Sequence, residues 1–305
     1  MTAPVPFERW DRRQGIGASE VAALAGLSPW SSSVSVWLEK VGLGDGPRES
    51  DAMRAGRDLE RTVLAMAARQ VDQRLIHNGM TFPHPEYPAV PLYATPDGFA
   101  MPRRSALAEC KVVAHRYDDW KGGPPAYVDL QVQAQLACLP RVQGAIVAAL
   151  VGGEVRTWRV DRDPDRIAAL ETSVRGWWTD HVLGDRSPDP SDDDDRWALL
   201  RAFARTSPDR QERVATPDEQ KVGTALRGLL TVRGEVDSQV EALRLELADA
   251  AADNDVLGVG WRATWSSRST VDWRALAADL AIPQDAIDAH TTQSRSFTFR
   301  RDGQA

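Results

Sequence analysis

The chain has 305 residues, 42% hydrophobic and 27% charged, which describes an ordinary globular protein and excludes fibrous or low-complexity classes; no apolar run approaches the roughly 18–20 residues of a membrane span. Its only cysteines, Cys110 and Cys138, exclude a disulfide framework and a Cys/His zinc pattern. The net charge of −7 is uneven: residues 1–184 carry 21 basic against 22 acidic side chains and the remainder 16 against 22, so broad binding through a uniformly basic face is not expected.

The opening Met1-Thr-Ala-Pro-Val-Pro6 lacks the basic and apolar regions of a signal peptide, so cytoplasmic residence is expected. Residues 8–30 read as a loop entering a short helix, with Ser19 as N-cap, Val21, Ala22, Leu24 and Ala25 as its apolar stripe and Gly26 at its end. A helix N-terminus of this kind can hold a phosphate, and Arg12 and Arg13 lie just upstream; a plain structural cap is the simpler reading of these residues alone. A second short helix follows from Ser31 to Gly42. Asp51 to about Val71 has strong helical periodicity, with Leu59, Val63, Met66 and Ala67 on its apolar side. Glu60 flanks that stripe, where an ordinary surface pair with Arg57 or Arg61 is the simplest expectation.

Strands are expected near 79–83, 90–95 and 106–113. The last holds Ala106-Leu-Ala-Glu109-Cys110-Lys111-Val-Val113. Successive side chains of a strand alternate between faces, so Glu109 and Lys111 share one face and Cys110 faces the opposite core. Asp97 stands just before Gly98 at the end of a preceding strand, and pairing the two strands would join two carboxylates and one ammonium. Hard oxygen donors suit Mg²⁺ or Mn²⁺, and the set predicts a metal-dependent nuclease centre. Only four lysines occur against 33 arginines, and one of them takes the Glu-x-Lys position.

A helix is expected over Pro124–Leu139, with Tyr127, Leu130, Ala134 and Ala137 packed and with Gln131 and Gln135 four apart on one face. Gly144–Val151 reads as a central strand, Gly152-Gly153 as a hairpin turn, and Glu154–Asp161 as its partner. An amphipathic helix from Ile167 to about Leu183 would bring Trp177 and Trp178 into the core. The Pro- and Asp-rich stretch 184–195 predicts a boundary, dividing the chain into 1–190 and 191–305. Beyond it, Leu226 to Ala250 support a long helix, followed by strands at 257–265 and 294–300 and a helix near 271–281. His77, His84, His115, His181 and His290 lack zinc-site spacing, and no Ser/His/Asp or Cys/His set competes.

Gly15-Ile-Gly-Ala-Ser19-Glu20, Gly56-x-x-x-Glu60, Ala94-Thr-Pro-Asp97-Gly98, Glu109-x-Lys111 and Gln131-Val-Gln133 occur together in this order. Over roughly residues 8–190 the chain resembles the YqaJ-like viral recombinases, relatives of lambda exonuclease in the PD-(D/E)XK nuclease superfamily. The resemblance implies a restriction-endonuclease-like α/β core, a central mixed sheet flanked by helices, with a C-terminal helical and short-strand extension. It implies Asp97, Glu109 and the Cys110 carbonyl as Mg²⁺ ligands (Mn²⁺ as a substitute), supported by Glu60. Lys111 would orient or activate the attacking water, and Gln131 would position Lys111 or the nucleophile. Ser19, with Arg12 or Arg13, matches the region that engages the DNA 5′ phosphate. The implied activity is 5′→3′ exonuclease action on double-stranded ends, leaving 3′ overhangs for phage-type recombination in a bacterial host. A single-strand annealing protein and a homo-oligomeric ring are the implied partners. Two other readings stand beside it: an endonuclease or structure-specific nuclease using the same centre, and a recombination-assembly DNA-binding protein.

Overall fold

The computed structural model describes residues 3–44, 50–206, 213–252, 254–259, 261–264 and residue 283. The chain divides into two compact units, Met1–Thr206 and Ser207–Ala305.

The first unit begins with β1 (Val5–Pro6), β2 (Ile16–Gly17), α1 (Val21–Leu24), α2 (Ser33–Lys40) and α3 (Asp51–Gln70). The strands β3 (Leu75–His77), β4 (Met80–Pro83), β5 (Leu92–Ala94), β6 (Gly98–Ala100) and β7 (Leu107–Val113) follow. Then come α4 (Ala126–Cys138), β8 (Gly144–Val151), β9 (Glu154–Asp161), α5 (Pro164–Trp177) and α6 (Asp193–Thr206). Five strands form one mixed sheet in the order β3-β6-β7-β8-β9, and four short ones form a second in the order β1-β4-β5-β2. The α/β class with mixed sheets flanked by helices is therefore present.

The strand β7 is the axis of the larger sheet. It pairs antiparallel with β6, Gly98 opposite Ala108, and parallel with β8, Glu109 opposite Val147. A parallel pair needs a crossover, and α4 supplies it. The alternation of β7 then sorts its side chains. Leu107 joins the core that holds Val128, Val132 and Leu136 of α4, while Cys110 and Val112 pack with Leu59, Val63 and Ala67 of α3. Cys110 thus faces away from Glu109 and Lys111, as the pleat requires. The strand β8 is central, and Gly152 and Gly153 turn it into β9 with φ of 59° and 91°, a backbone region that glycine enters without penalty.

Local chemistry sets several ends. Ser32 and Ser35 cap α2 reciprocally, Ser50 caps α3, and Asp163 caps α5. The helix expected after Ser19 is shorter than its pattern suggested. Ala18–Glu20 forms a 3₁₀ turn, and the Glu20 carboxylate, not Ser19, accepts the Gly17 N–H at 2.7 Å. Trp177 and Trp178 are half-buried rather than central, and Trp177 donates its indole N–H to the Ser33 hydroxyl at 2.7 Å. The acidic run ends in α6, whose buried Asp195 accepts from the Ser32 hydroxyl and from Ser191. Leu199 and Ala202 of α6 pack with Trp37 of α2.

The second unit holds the long helix α7 (Pro217–Ala251), closed at its start by a Thr216–Glu219 capping box, and the hairpin β10 (Val256–Gly258) with β11 (Trp261–Ala263). The strand expected at 294–300 and the helix expected near 271–281 lie outside the described residues. Among the described residues, no helix is long and apolar enough to cross a membrane.

Gly98 marks the tightest packing next to Asp97. A Cβ there would meet the Ile76 carbonyl oxygen at 2.7 Å. Gly98→Ala is expected to lower stability by about 1–3 kcal/mol, read as a lower urea midpoint with an unchanged slope.

Candidate metal and hydrolysis centre

Glu109 lies in the middle of β7 with 2% of its surface exposed. A carboxylate buried this deeply must be answered by donors, and three converge on it. Lys111 Nζ and Gln131 Nε2 donate to Oε1 at 2.7 and 2.6 Å, and Gln135 Nε2 donates to Oε2 at 2.6 Å. Gln131 also accepts from Lys111 Nζ at 2.9 Å, closing a triangle of carboxylate, ammonium and amide. The strand period of two places Glu109 and Lys111 together, and the helix period places Gln131 and Gln135 on the α4 face above them.

Asp97, in the turn before β6, accepts the Cys110 backbone N–H through Oδ2 at 2.6 Å. Burial first, then the negative charges of Glu109 and Glu60, hold its pKa well above the ordinary carboxylate value. Burial works to lower the Lys111 pKa, but Glu109 and Asp97 outweigh it and leave the ammonium more basic than usual. Glu60 sits on α3 with its Oε1 2.9 Å from His77 Nε2 on β3. Its pKa is raised by burial, opposed by His77 and reinforced by Glu109. Glu60 thus meets a histidine and also feels the charge of Arg61. Asp97, Glu109, Glu60 and Lys111 therefore share one electrostatic neighbourhood, with Gln131 in direct contact.

Ser19 is exposed in the 3₁₀ turn at Ala18–Glu20. Arg12 binds Glu20 at 2.9 Å and Glu39 at 3.0 Å while its side chain stays 44% exposed; Arg13 pairs with Asp11 at 3.3 Å. Beneath them, Lys40 is fully enclosed and binds Glu20 at 2.7 Å. The sequence patterns singled out neither Lys40 nor the bond from Gln135 to Glu109. The shared face of Gln131 and Gln135 was the available signal for the second, and nothing local announced the first.

The donor set fits a hard divalent cation. A carboxylate offers about four acceptor positions; Glu109 spends three, and Asp97 spends one, with Oδ1 making no hydrogen bond among the described residues. Gln135 Oε1 is buried without a hydrogen-bond partner beside this cluster. Burial first, and then the negative charges of Glu109 and Glu60, raise Asp97 in this cluster of three carboxylates and one ammonium. Among the described residues, no three His, Cys, Asp or Glu side chains form a ready cage. Mg²⁺ does not require one, because it uses one or two carboxylates together with waters and substrate phosphates.

Gln135→Leu strips the sole donor from Glu109 Oε2, whereas Gln131→Leu leaves Lys111 on Oε1. Urea unfolding should therefore show a loss of about 1.5–3 kcal/mol for Gln135→Leu and a smaller loss for Gln131→Leu.

Residues 9–141 match the family model described as YqaJ-like viral recombinase domain. The uncharacterized protein YqaJ of Bacillus subtilis (strain 168) is 29% identical over 184 residues, covering 58% of this chain and 56% of that protein, little more than half its length. Among solved structures, an alkaline exonuclease from Laribacter hongkongensis is similar at 20% identity and TM-score 0.47, over 64% of this chain and 96% of that one. A phage-related exonuclease from Haemophilus somnus 129PT is similar at 12% identity and TM-score 0.43, over 56% and 96%. By sequence, the segment spanning residues 9–141 is similar to the YqaJ-like viral recombinase domains.

Proposed function

We propose that the protein is a Mg²⁺-dependent exonuclease that hydrolyses DNA 5′→3′ from double-stranded ends and leaves 3′ overhangs for phage-type recombination. The observation that carries this reading is the Glu109–Lys111–Gln131 triangle beside Asp97, inside a segment that matches a recombinase domain. Asp97 and Glu109 would hold the cation, with the Cys110 carbonyl as a further oxygen donor and Glu60 as a supporting charge. Bound Mg²⁺ supplies polarisation of the phosphoryl group and a lowered pKa for water.

The residues divide the remaining work. An ammonium has three donors; Lys111 spends two on Glu109 and Gln131, which leaves one for the attacking water or a phosphoryl oxygen. It would orient or activate that water. Both ends of the Gln131 amide are engaged, so it is a positioning residue for Lys111. Arg12, aligned by Glu20 and Glu39, keeps free donors and exposure for a 5′ phosphate beside Ser19, with Arg13 as the alternative cation. A single-strand annealing protein and a ring of identical subunits are the partners this activity would use.

Digestion of end-labelled linear DNA tests the reading. Mg²⁺-dependent loss of 5′-phosphorylated duplex is expected, with slower loss of 5′-hydroxyl duplex and none of covalently closed circles. Chelation should abolish it. Glu109→Ala and Lys111→Ala should each lower turnover at least about a hundredfold with native circular dichroism. Cleavage of the closed circle overturns exonuclease action, and unchanged turnover in both variants overturns the centre.

A further inference from the structure

The loop between α1 and α2 carries Ser28-Pro29-Trp30-Ser31, and Trp30 is 64% exposed. An indole this exposed on a loose loop would mean little, but this loop is tied down. The Ser28 hydroxyl oxygen accepts from the backbone N–H of Trp30 at 3.3 Å and of Ser31 at 3.2 Å, and it meets the Ser31 hydroxyl at 2.9 Å. Pro29 fixes one further backbone angle. The Trp30 ring meets Tyr127 edge to face, with centroids 5.1 Å apart and planes at 88°. The indole is thus held in place while most of its surface faces solvent.

Its position matters because of what Tyr127 neighbours. Tyr127 lies four residues before Gln131 on α4, so the two share a face one turn apart. Gln131 in turn holds Lys111 Nζ at 2.9 Å. A helical turn is about 5.4 Å, and phosphates of one strand rise about 3.4 Å per nucleotide. Tyr127 therefore stands one helical turn from the residue that holds Lys111, and the Trp30 ring lies 5.1 Å beyond it, which places the indole about three nucleotides from a phosphate at Lys111. An ordered, exposed indole at this distance has the form of a base-stacking platform, which tolerates any sequence because every base has a π face.

We propose that Trp30 is a substrate-positioning residue that stacks on a nucleobase of the strand being hydrolysed, about three nucleotides from the scissile phosphate. The inference rests on the nuclease reading above for the identity of that phosphate. Stacking holds the strand by its bases, independently of the phosphate contacts, and so should not depend on sequence.

The test uses the full chain and a fluorescein-labelled 5′-phosphorylated duplex, bound in EDTA and hydrolysed in Mg²⁺. Trp30→Ala should weaken binding about tenfold and raise KM with kcat retained, and Trp30→Phe should recover most of the loss. A duplex with abasic positions at its terminal nucleotides should lose the same factor with the native protein and nothing further with Trp30→Ala. Native affinity in Trp30→Ala, or an abasic penalty equal in both proteins, overturns the proposal. If the native protein degrades no DNA, the nuclease reading fails, while the abasic comparison in EDTA still decides the stacking.

Discussion

Everything near the centre depends on supplying hydrogen-bond donors to Glu109, a carboxylate with almost no contact with water. A buried polar group left without partners is costly. Three donors from two elements meet that need, two through Oε1 and one through Oε2. This requirement fixes the geometry of the larger sheet's active face. It demands that β7 present Glu109 and Lys111 on one side, and that α4 cross over at a register that brings Gln131 and Gln135 down onto them. The parallel β7–β8 pair, which makes α4 a crossover rather than a separate helix, supplies that register. Removing one hydrogen-bond donor from such a buried carboxylate typically costs about 1.5–3 kcal/mol, so this arrangement and the fold are held by the same bonds.

A second consequence is electrostatic. Lys111 donates to one carboxylate, and burial first, with the Glu109 charge added, resists ionisation of Asp97 and Glu60. The protein alone does not balance this charge. His77 offsets part of it at Glu60, and the Cys110 N–H offsets part at Asp97. The charge that remains is of the sign a divalent cation would relieve, and Asp97 Oδ1, which makes no hydrogen bond among the described residues, would offer it an oxygen.

Much of this was legible because it follows from periodicity. The period of two in β7 separates Glu109 and Lys111 from Cys110, and the structure keeps that separation. The period near four in α4 puts Gln131 and Gln135 together. The hairpin at Gly152-Gly153, the central place of β8 and the long helix α7 follow from equally local signals. What was not legible depends on distant partners. Glu60 meets His77, 17 positions along the chain, because α3 and β3 come back against each other. Glu20 is drawn off to Lys40, which is why it rather than Ser19 satisfies the Gly17 N–H. The three-residue strands β3 and β6 are too short to show a period and exist because β7 offers an edge. The aromatic pair Trp30–Tyr127 belongs to the same class: each residue is ordinary alone, and only the fold brings the two rings together.

The central claim is that Asp97 and Glu109 form a cation site whose chemistry Lys111 directs. Titration of Mn²⁺ into the full chain without DNA, with free Mn²⁺ followed by electron paramagnetic resonance, tests it most directly. The account predicts saturable Mn²⁺ binding by the native protein and its loss in Asp97→Asn, with Mg²⁺ competing in the native protein. Equal Mn²⁺ binding by native protein and Asp97→Asn would contradict it.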